Sequence, residues 1–533
     1  MSEVYDKVNE AFRETFRIIF GECNLDISDI EEYLWRYHYK PGRRKSSVSG
    51  KDVVITDTRY CKGAKMISQD EIDLKRRFEL NINDIKDIDS IVGAIEERME
   101  YAGNKVFGSS KFYENTDNCN DSFYVYNSHE VDTCKYVSHS SYVRAGSEHV
   151  FGCAYFLRSK YLIKAMGADN FTRGFEAYFS ANSSDLFFTY YTIGCSNVMF
   201  SFSQRAKNYV IGNLALPRDK YLGLRKKLVS ESREYLEKHR TFPSLFDFSP
   251  PSRQLVESVK IPKREAPKTD LGRIEQAFAE TSRIVLGKEL SPMGKYEKFL
   301  SERVNRITPI KTVFGGDTMN VDFFFHRYIP GERAVNTTES METMKLHLDF
   351  EDGEEVSLKS ILGKLPAIAF YRIDMIEGAS ENNIQTPIVY HAVNTYKVCD
   401  ATYNKNCAYC TFALALDGRR GESQFGCYRT LYSRFCIRCH SCVNLSNCFE
   451  MESCTNCANS MFCHNCEGLD NCMFCFNVKS KRYAVGNVEL GREQYMKIKK
   501  IVLGEITAKL ETDGKLPFDI FTLGCYAPKK GAP

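Results

Sequence analysis

Apolar residues near the start of the chain recur at spacings of three and four. Val8, Phe12, Phe16 and Ile19 fall on one face of a helix that Gly21 is placed to stop. The pattern returns downstream. Ala11-Phe12-x-Glu14-Thr15-x-Arg17-Ile18 is matched by Ala277-Phe278-x-Glu280-Thr281-x-Arg283-Ile284, ahead of Gly287. The period then shortens to two. Phe78, Leu80 and Ile82 alternate with polar residues, as do Leu346, Leu348 and Phe350, and each set predicts a half-buried strand. Short helices are expected around Ser90-Ile91-Val92-Gly93 and Ser360-Ile361-Leu362-Gly363. Long strand-like stretches rich in Cys, Ser, Thr, Asn, Tyr and Phe follow at about 112–214 and 390–488, and a basic helix closes each, at 218–240 and 492–510.

The chain therefore reads as a tandem duplication. Residues 151–221 return without a gap at 425–495, with 23 of 71 positions identical, against roughly one in sixteen from average composition. The expected fold class is α+β with a β-solenoid in each half. The expected divisions are an α+β part at 1–111, a solenoid and cap helix at 112–240, and a linker at 241–268. They continue with an α+β part at 269–389, a cysteine-rich solenoid and cap helix at 390–512, and a tail at 513–533, of which 528–533 is expected to be disordered. The two halves are expected to pack as a fused homodimer would.

Inside the second repeat block, Cys436, Cys439, Cys442, Cys448, Cys454, Cys457, Cys463, Cys466, Cys472 and Cys475 are all separated by multiples of three. The visible unit is nine residues, C-x-x-C then five residues. Two units per turn predict a turn of about 18 residues. That turn would stack Cys436, Cys454 and Cys472 in one column, Cys439, Cys457 and Cys475 in another, and Asn447 on Asn465.

Composition adds a choice between ligand and filler. The chain holds 21 cysteines, and its 72 basic and 69 acidic residues nearly balance, which argues no strong polyanion affinity. Cysteines in such numbers, with no export signal at the start, favour free thiols or metal ligands over a disulfide framework. Cys454, Cys457, Cys463 and Cys466 are the candidate zinc tetrathiolate, which His440 or His464 could join, and an iron–sulfur cluster on Cys436, Cys439, Cys442 and Cys448 is the weaker metal reading. The sister half opposes it. There the ten in-register cysteines correspond to Leu162, Ala165, Ala168, Gly174, Ser180, Ser183, Thr189, Thr192, Val198 and Ser201. Small inward side chains explain both halves, which makes Cys153, Cys427, Cys436, Cys439, Cys472 and Cys475 structural core and leaves no cofactor as the first expectation.

Other chemistry is sparse. Glu176 pairs with Glu450 across the repeat, without a second matched acid in that block. Walker, nucleophile-elbow, H-E-x-x-H and dinucleotide motifs are absent from the sequence. The basic loop with Arg43, Arg44 and Lys45 is a candidate contact to phosphate or a protein partner. Aromatics such as Phe123, Tyr124, Tyr126, Phe187, Phe188, Tyr190 and Tyr191 lie on both strand faces, so the outward ones need a cover or a partner.

The closing pattern Asn471-Cys472-Met473-Phe474-Cys475-Phe476-Asn477-Val478-Lys479, then Lys481, Tyr483, Gly486-Asn487, Glu493 and Tyr495, resembles the end of uncharacterised cysteine-rich repeat proteins of bacterial and phage genomes. The resemblance covers roughly the last hundred residues of the repeat and its helix. It implies a cysteine-lined solenoid under a helical cap and brings no activity. The leading functional expectation is a non-enzymatic structural or interaction scaffold, in a virion or another large assembly, with protein partners or self-assembly. The alternatives are a zinc protein that engages nucleic acid through basic loops, and a metalloenzyme with a site in the second half alone. The expected location is the cytoplasm or a virus particle, with no signal peptide and no membrane span.

Overall fold

The structure is a computed structural model that describes residues 2–263, 269–350, 354–414 and 420–527. It mixes helices with two large, curled, almost wholly parallel sheets. Among the described residues, sheet A (residues 106–215) has 14 strands and sheet B (residues 375–489) has 13. No described helix is long and apolar enough to cross a membrane.

Each sheet advances by a fixed register. In sheet A, Lys111 lies beside Phe123, Phe123 beside Lys135, and Ser184 beside Ser196. In sheet B, Cys436 lies beside Cys448 and Cys472 beside Ala484. One winding therefore takes twelve residues, not eighteen. The expected columns are corrected accordingly. Cys442, Cys454 and Cys466 share a column, and Asn447 bonds Asn459 at 3.0 Å rather than Asn465. The triplet was real, but four triplets close a winding where six were expected.

The cause is the backbone. Along both sheets nearly every third residue is left-handed, for example Asn444 (φ 58°), Asn447 (55°), Glu450 (49°) and Ser453 (51°). Each left-handed residue turns the chain through a corner, and the residue after it points inward. Asn tolerates that conformation well, which explains the Asn-Cys dipeptides. Tyr124, Tyr136 and Phe188 adopt it too, at a cost of about 1–2 kcal/mol per residue. Stacking offsets that cost: Phe112 lies on Tyr124 at 4.8 Å and Tyr124 on Tyr136 at 5.1 Å. A single extra residue at Ala145-Gly146 shifts one step to thirteen, so that Lys135 meets Glu148. In sheet B the corresponding step is seventeen, from Asn404 to Gly421.

The corners also explain the small inward residues. Ser122, Ser128, Ser140 and Ser159 each donate to the carbonyl two residues back, at 2.7–2.9 Å. In sheet B the thiols make the same bond: Cys448 to Ser446 O at 3.3 Å, Cys454 to Glu452 O at 3.2 Å and Cys463 to Met461 O at 3.3 Å. Serine and cysteine are exchangeable because both are short donors that fit inside a twelve-residue winding.

The leading helices are Glu3–Phe20 and Gly272–Leu286, ended at Gly21 (φ 93°) and Gly287 (φ 77°). Each lies along the flank of its own sheet. Phe12 meets Phe151 at 5.4 Å and Phe278 meets Phe425 at 5.2 Å. Burying one such ring contributes about 1.5–3 kcal/mol. Behind them, Gly152 and Gly426 admit the backbone of Leu34 and Leu300, whose carbonyl oxygens would stand 2.9 and 2.7 Å from an added Cβ.

The segments after these helices cross over. Residues 53–101 pack on sheet B: Tyr101 donates to Ile520 O at 2.7 Å, and Ile95 fills the space beside Gly486. Residues 321–350 and 354–373 pack on sheet A: Tyr190 donates to Arg372 O at 2.8 Å, and Leu348 fills the space beside Gly212. Each last winding is thus covered by a segment from the other half as well as by its own closing helix, Arg218–His239 or Arg492–Asp513. The alternating segments 78–82 and 346–350 are not strands. Ile82 begins a short 3-10 turn, and 346–350 lies extended over the end of sheet A, where Leu348 makes one backbone bond, to Gly212 O at 2.8 Å.

The proline-rich segment after residue 240 begins with Phe242, Leu245 and Phe246 buried against sheet A. Phe187, Phe188, Tyr190 and Tyr191 are buried as well, under Phe20, Phe242 and Arg372. Residues 528–533, expected to be disordered, lie outside the described residues.

Candidate functional site

Sheet B carries Glu452 and His464 one winding apart. Ala102, directly after the crossing segment, donates its N–H to His464 Nε2 at 2.8 Å. That bond makes Nε2 the acceptor, so the proton sits on Nδ1 and is donated to Glu452. Tyr60 donates to Glu452 Oε2 at 3.0 Å. Ser453 bridges onward: its hydroxyl donates to Glu452 Oε1 at 2.5 Å and accepts from Lys105 Nζ at 3.2 Å. Lys105 lies 3.6 Å from Asp117, which also accepts from Thr56 N and Lys105 N at 2.7 and 2.8 Å.

Apart from the half-buried Ser453 the constellation is buried, with Glu452, His464, Lys105 and Asp117 no more than 1% exposed. Burial pushes the Glu452 carboxyl up, but His464 and Lys105 outweigh it and hold the carboxyl well below its usual range. Burial also pushes the His464 imidazole down, against the pull of Glu452, so it stays neutral at neutral pH. The chemistry of such a Tyr-Glu-His chain is proton exchange, yet every member faces a chain segment rather than solvent.

A second cluster stands on the matched carboxylates. Lys164 and Glu176 in sheet A, and Arg438 and Glu450 in sheet B, are each one winding apart. Lys164 donates to Leu34 O at 3.1 Å, and Tyr33 and Tyr178 donate to Glu176 at 2.5 Å. Arg36 closes the group at 3.3 Å. Arg438 bonds Phe299 O and Glu450, and Glu450 accepts from Ile520 N at 3.0 Å. Asp519 pairs with Arg303 and Arg438. In both halves the cation clamps the short helix after the leading helix onto the sheet.

The other sequence candidates fall as follows. Cys454, Cys457, Cys463 and Cys466 are buried and occupy three different inward columns. Cys454 donates to Glu452 O and Cys463 O, and Cys466 to His464 O and Cys475 O. Burial raises the Cys454, Cys463 and Cys466 thiols, and the Cys454 side chain together with burial raises Cys457. Among the described residues, no group of three or more His, Cys, Asp or Glu side chains is placed to hold a metal ion. Cys153, Cys427, Cys436, Cys439, Cys472 and Cys475 are free and buried in the two sheet interiors. His440 is buried beside Phe521 with neither ring nitrogen bonded.

One disulfide, Cys61–Cys525, ties the crossing segment to the tail. Arg44 and Lys45 have local partners, in Lys62 O and Tyr60 O for the first and Asp52 for the second, and Arg43 reaches Asn115. A hollow of about 530 Å³ lies apart from all these groups, on the closing helix, lined by Arg492, Glu493, Met496, Lys497 and Lys500.

Sequence reasoning singled out Glu176, Glu450 and His464 but missed Lys105, Asp117, Tyr60, Lys164 and Asp519. The spacing of twelve between Lys164 and Glu176, and between Arg438 and Glu450, was the available signal. No family model matches the chain, and no match was found among the curated proteins or the solved structures.

Proposed function

We propose that the chain is a structural or interaction scaffold: two β-solenoids, copies of one ancestral unit joined through 241–268, that hold their shape for a larger assembly. The observation that carries this reading is the burial of the Tyr60–Glu452–His464–Lys105–Asp117 constellation, each member of which anchors one chain segment to another. The repetition of element order supports the duplication. Leading helix, short helix, crossing segment, curled sheet and closing helix follow one another twice. Matched glycines at 152 and 426 and matched carboxylates at 176 and 450 stand in matched surroundings.

Labelling of the native protein tests the reading. Diethyl pyrocarbonate and iodoacetamide, read by peptide mass spectrometry, should leave His464, His440 and the sheet-B cysteines unmodified under conditions that label the unfolded chain fully. Rapid labelling of native His464, or one zinc or iron per chain held on the sheet-B thiols, would overturn it.

A further inference from the structure

After each closing helix the chain turns through a left-handed residue, Arg240 (φ 57°) or Gly514 (φ 66°), and wedges itself under the crossing segment from the other half. In the first half Tyr371 donates to Leu245 O, and Phe246 stands between Tyr178 of sheet A and Tyr371, at 5.0 and 5.7 Å. In the second half Tyr101 donates to Ile520 O at 2.7 Å, and Phe521 stands between His440 of sheet B and Tyr60, at 5.1 and 5.5 Å.

The two wedges are fastened differently beyond that point. In the first half Arg333 donates to Ser249 O at 2.6 Å, and the chain runs on to the leading helix of the second half. In the second half, among the described residues, that role falls to a covalent bond, Cys61–Cys525. Around it Cys61 N donates to Phe521 O at 3.1 Å, and Tyr526 donates to Asp89 at 2.8 Å.

This bond is also where a reagent can reach sulfur. Cys525 is exposed and Cys61 half-buried, whereas eighteen of the nineteen free cysteines are buried and Cys23 is half-buried. Exposed disulfides are the ones that exchange readily with thiols.

We propose that Cys61–Cys525 is a redox latch. A dithiol reductant opens it, and the segment from Leu516 to Ala527 then leaves its wedge while both sheets stay folded. One thiolate of the reductant attacks the Cys525 sulfur, forming a mixed disulfide and displacing Cys61 as a thiolate. The second thiolate of the reductant closes on the first and releases Cys525. The reductant departs as its own disulfide, and its two electrons and two protons end on Cys61 and Cys525.

The contacts given up lie outside the ladders of both sheets, because the tail adds no strand to either. Asp519 leaves Arg303 and Arg438, and Arg438 keeps Glu450, Glu302 and Phe299 O. The vacated wedge presents two guanidinium groups beside the unbonded His440 ring. The latch therefore governs access to a cationic wedge that the oxidised protein fills with its own Asp519 and Phe521.

Alkylation and hydrogen exchange of the folded protein, with and without millimolar dithiothreitol, test the proposal. After reduction, iodoacetamide should label Cys61 and Cys525 and leave the sheet-B thiols unlabelled. The amides of Ile520, Leu523, Gly524 and Cys525, now bonded to Glu450, Asp519, Tyr101 and Thr522, should exchange roughly tenfold faster or more once the tether is gone. Cys61→Ser with Cys525→Ser, checked by circular dichroism, should exchange at that faster rate without reductant and ignore its addition. A disulfide that resists the dithiol until the chain unfolds overturns the proposal. So does a reduced protein whose tail amides keep the oxidised rate. Reduction that also exposes the sheet-B thiols overturns it as well, because the bond would then hold the whole fold. The labelling of the protein with its disulfide intact decides the scaffold reading separately.

Discussion

Sheets A and B solve one packing problem with different atoms. Both wind every twelve residues around an interior of mostly small side chains, with Val, Ala, Ser and Thr prominent in A and Cys prominent in B. Sheet A supports one corner column with stacked rings at Phe112, Tyr124 and Tyr136. Sheet B supports the matching column with an amide ladder, Asn382 to Asn394 at 2.9 Å and Asn394 to Asn406 at 3.0 Å. The difference teaches that a hydroxyl and a thiol serve equally as the short inward donor, and that a corner column can stack through rings or through amides. Chemical identity is secondary.

The most severe test removes a clamp from one half and then the other. Arg438→Met leaves Glu450 buried without its cation and should cost about 3–5 kcal/mol in chemical denaturation. Lys164→Met should cost less, because Glu176 keeps Tyr33, Tyr178 and Arg36. Equal losses would mean that the two clamps are not doing different work.

A smaller effect separates corner donor from metal ligand. Cys454→Ser, which installs the serine found at the aligned position 180, should change stability by less than about 1 kcal/mol. Cys454→Leu overfills the winding and should cost about 1–3 kcal/mol. A serine variant as damaging as the leucine one would contradict the exchange of donors.

The smallest effect is a slope with pH. Burial pushes the Lys164 ammonium down to about 7, with Glu176 opposing and Arg36 adding to the shift. Between about pH 7 and the ordinary lysine value the unfolded chain then holds a proton that the folded one has released. Stability should rise with pH over that window. Lys164→Arg, which copies Arg438, should flatten the rise in denaturation midpoint between pH 7 and 9.

The triplet and the helix stops at Gly21 and Gly287 were legible because each is a local pattern. The number of triplets per winding was not. Cysteines at multiples of three fit a turn of twelve as well as one of eighteen, and the choice is made by left-handed corners at residues as different as Asn447, Glu450 and Tyr124. The crossing of residues 53–101, 321–350 and 354–373 was hidden for another reason. An apolar alternation such as Leu346, Leu348 and Phe350 says that one face is covered, but not by which half. His464 was noticed as a ligand for metal, and it is instead the acceptor for Ala102, a residue 362 positions away.

The crossing also sets an order of events during synthesis. When residue 263 leaves the ribosome, sheet A is complete, but the residues that cover Phe179, Tyr190 and Gly212 have yet to be translated. Residues 53–101 meanwhile wait for a surface made only near the end of the chain. The nascent first half therefore carries one unsatisfied apolar face for about a hundred further residues and the other for over two hundred, on the order of five to twenty and ten to fifty seconds at ordinary elongation rates. A holding chaperone would find its client in that interval.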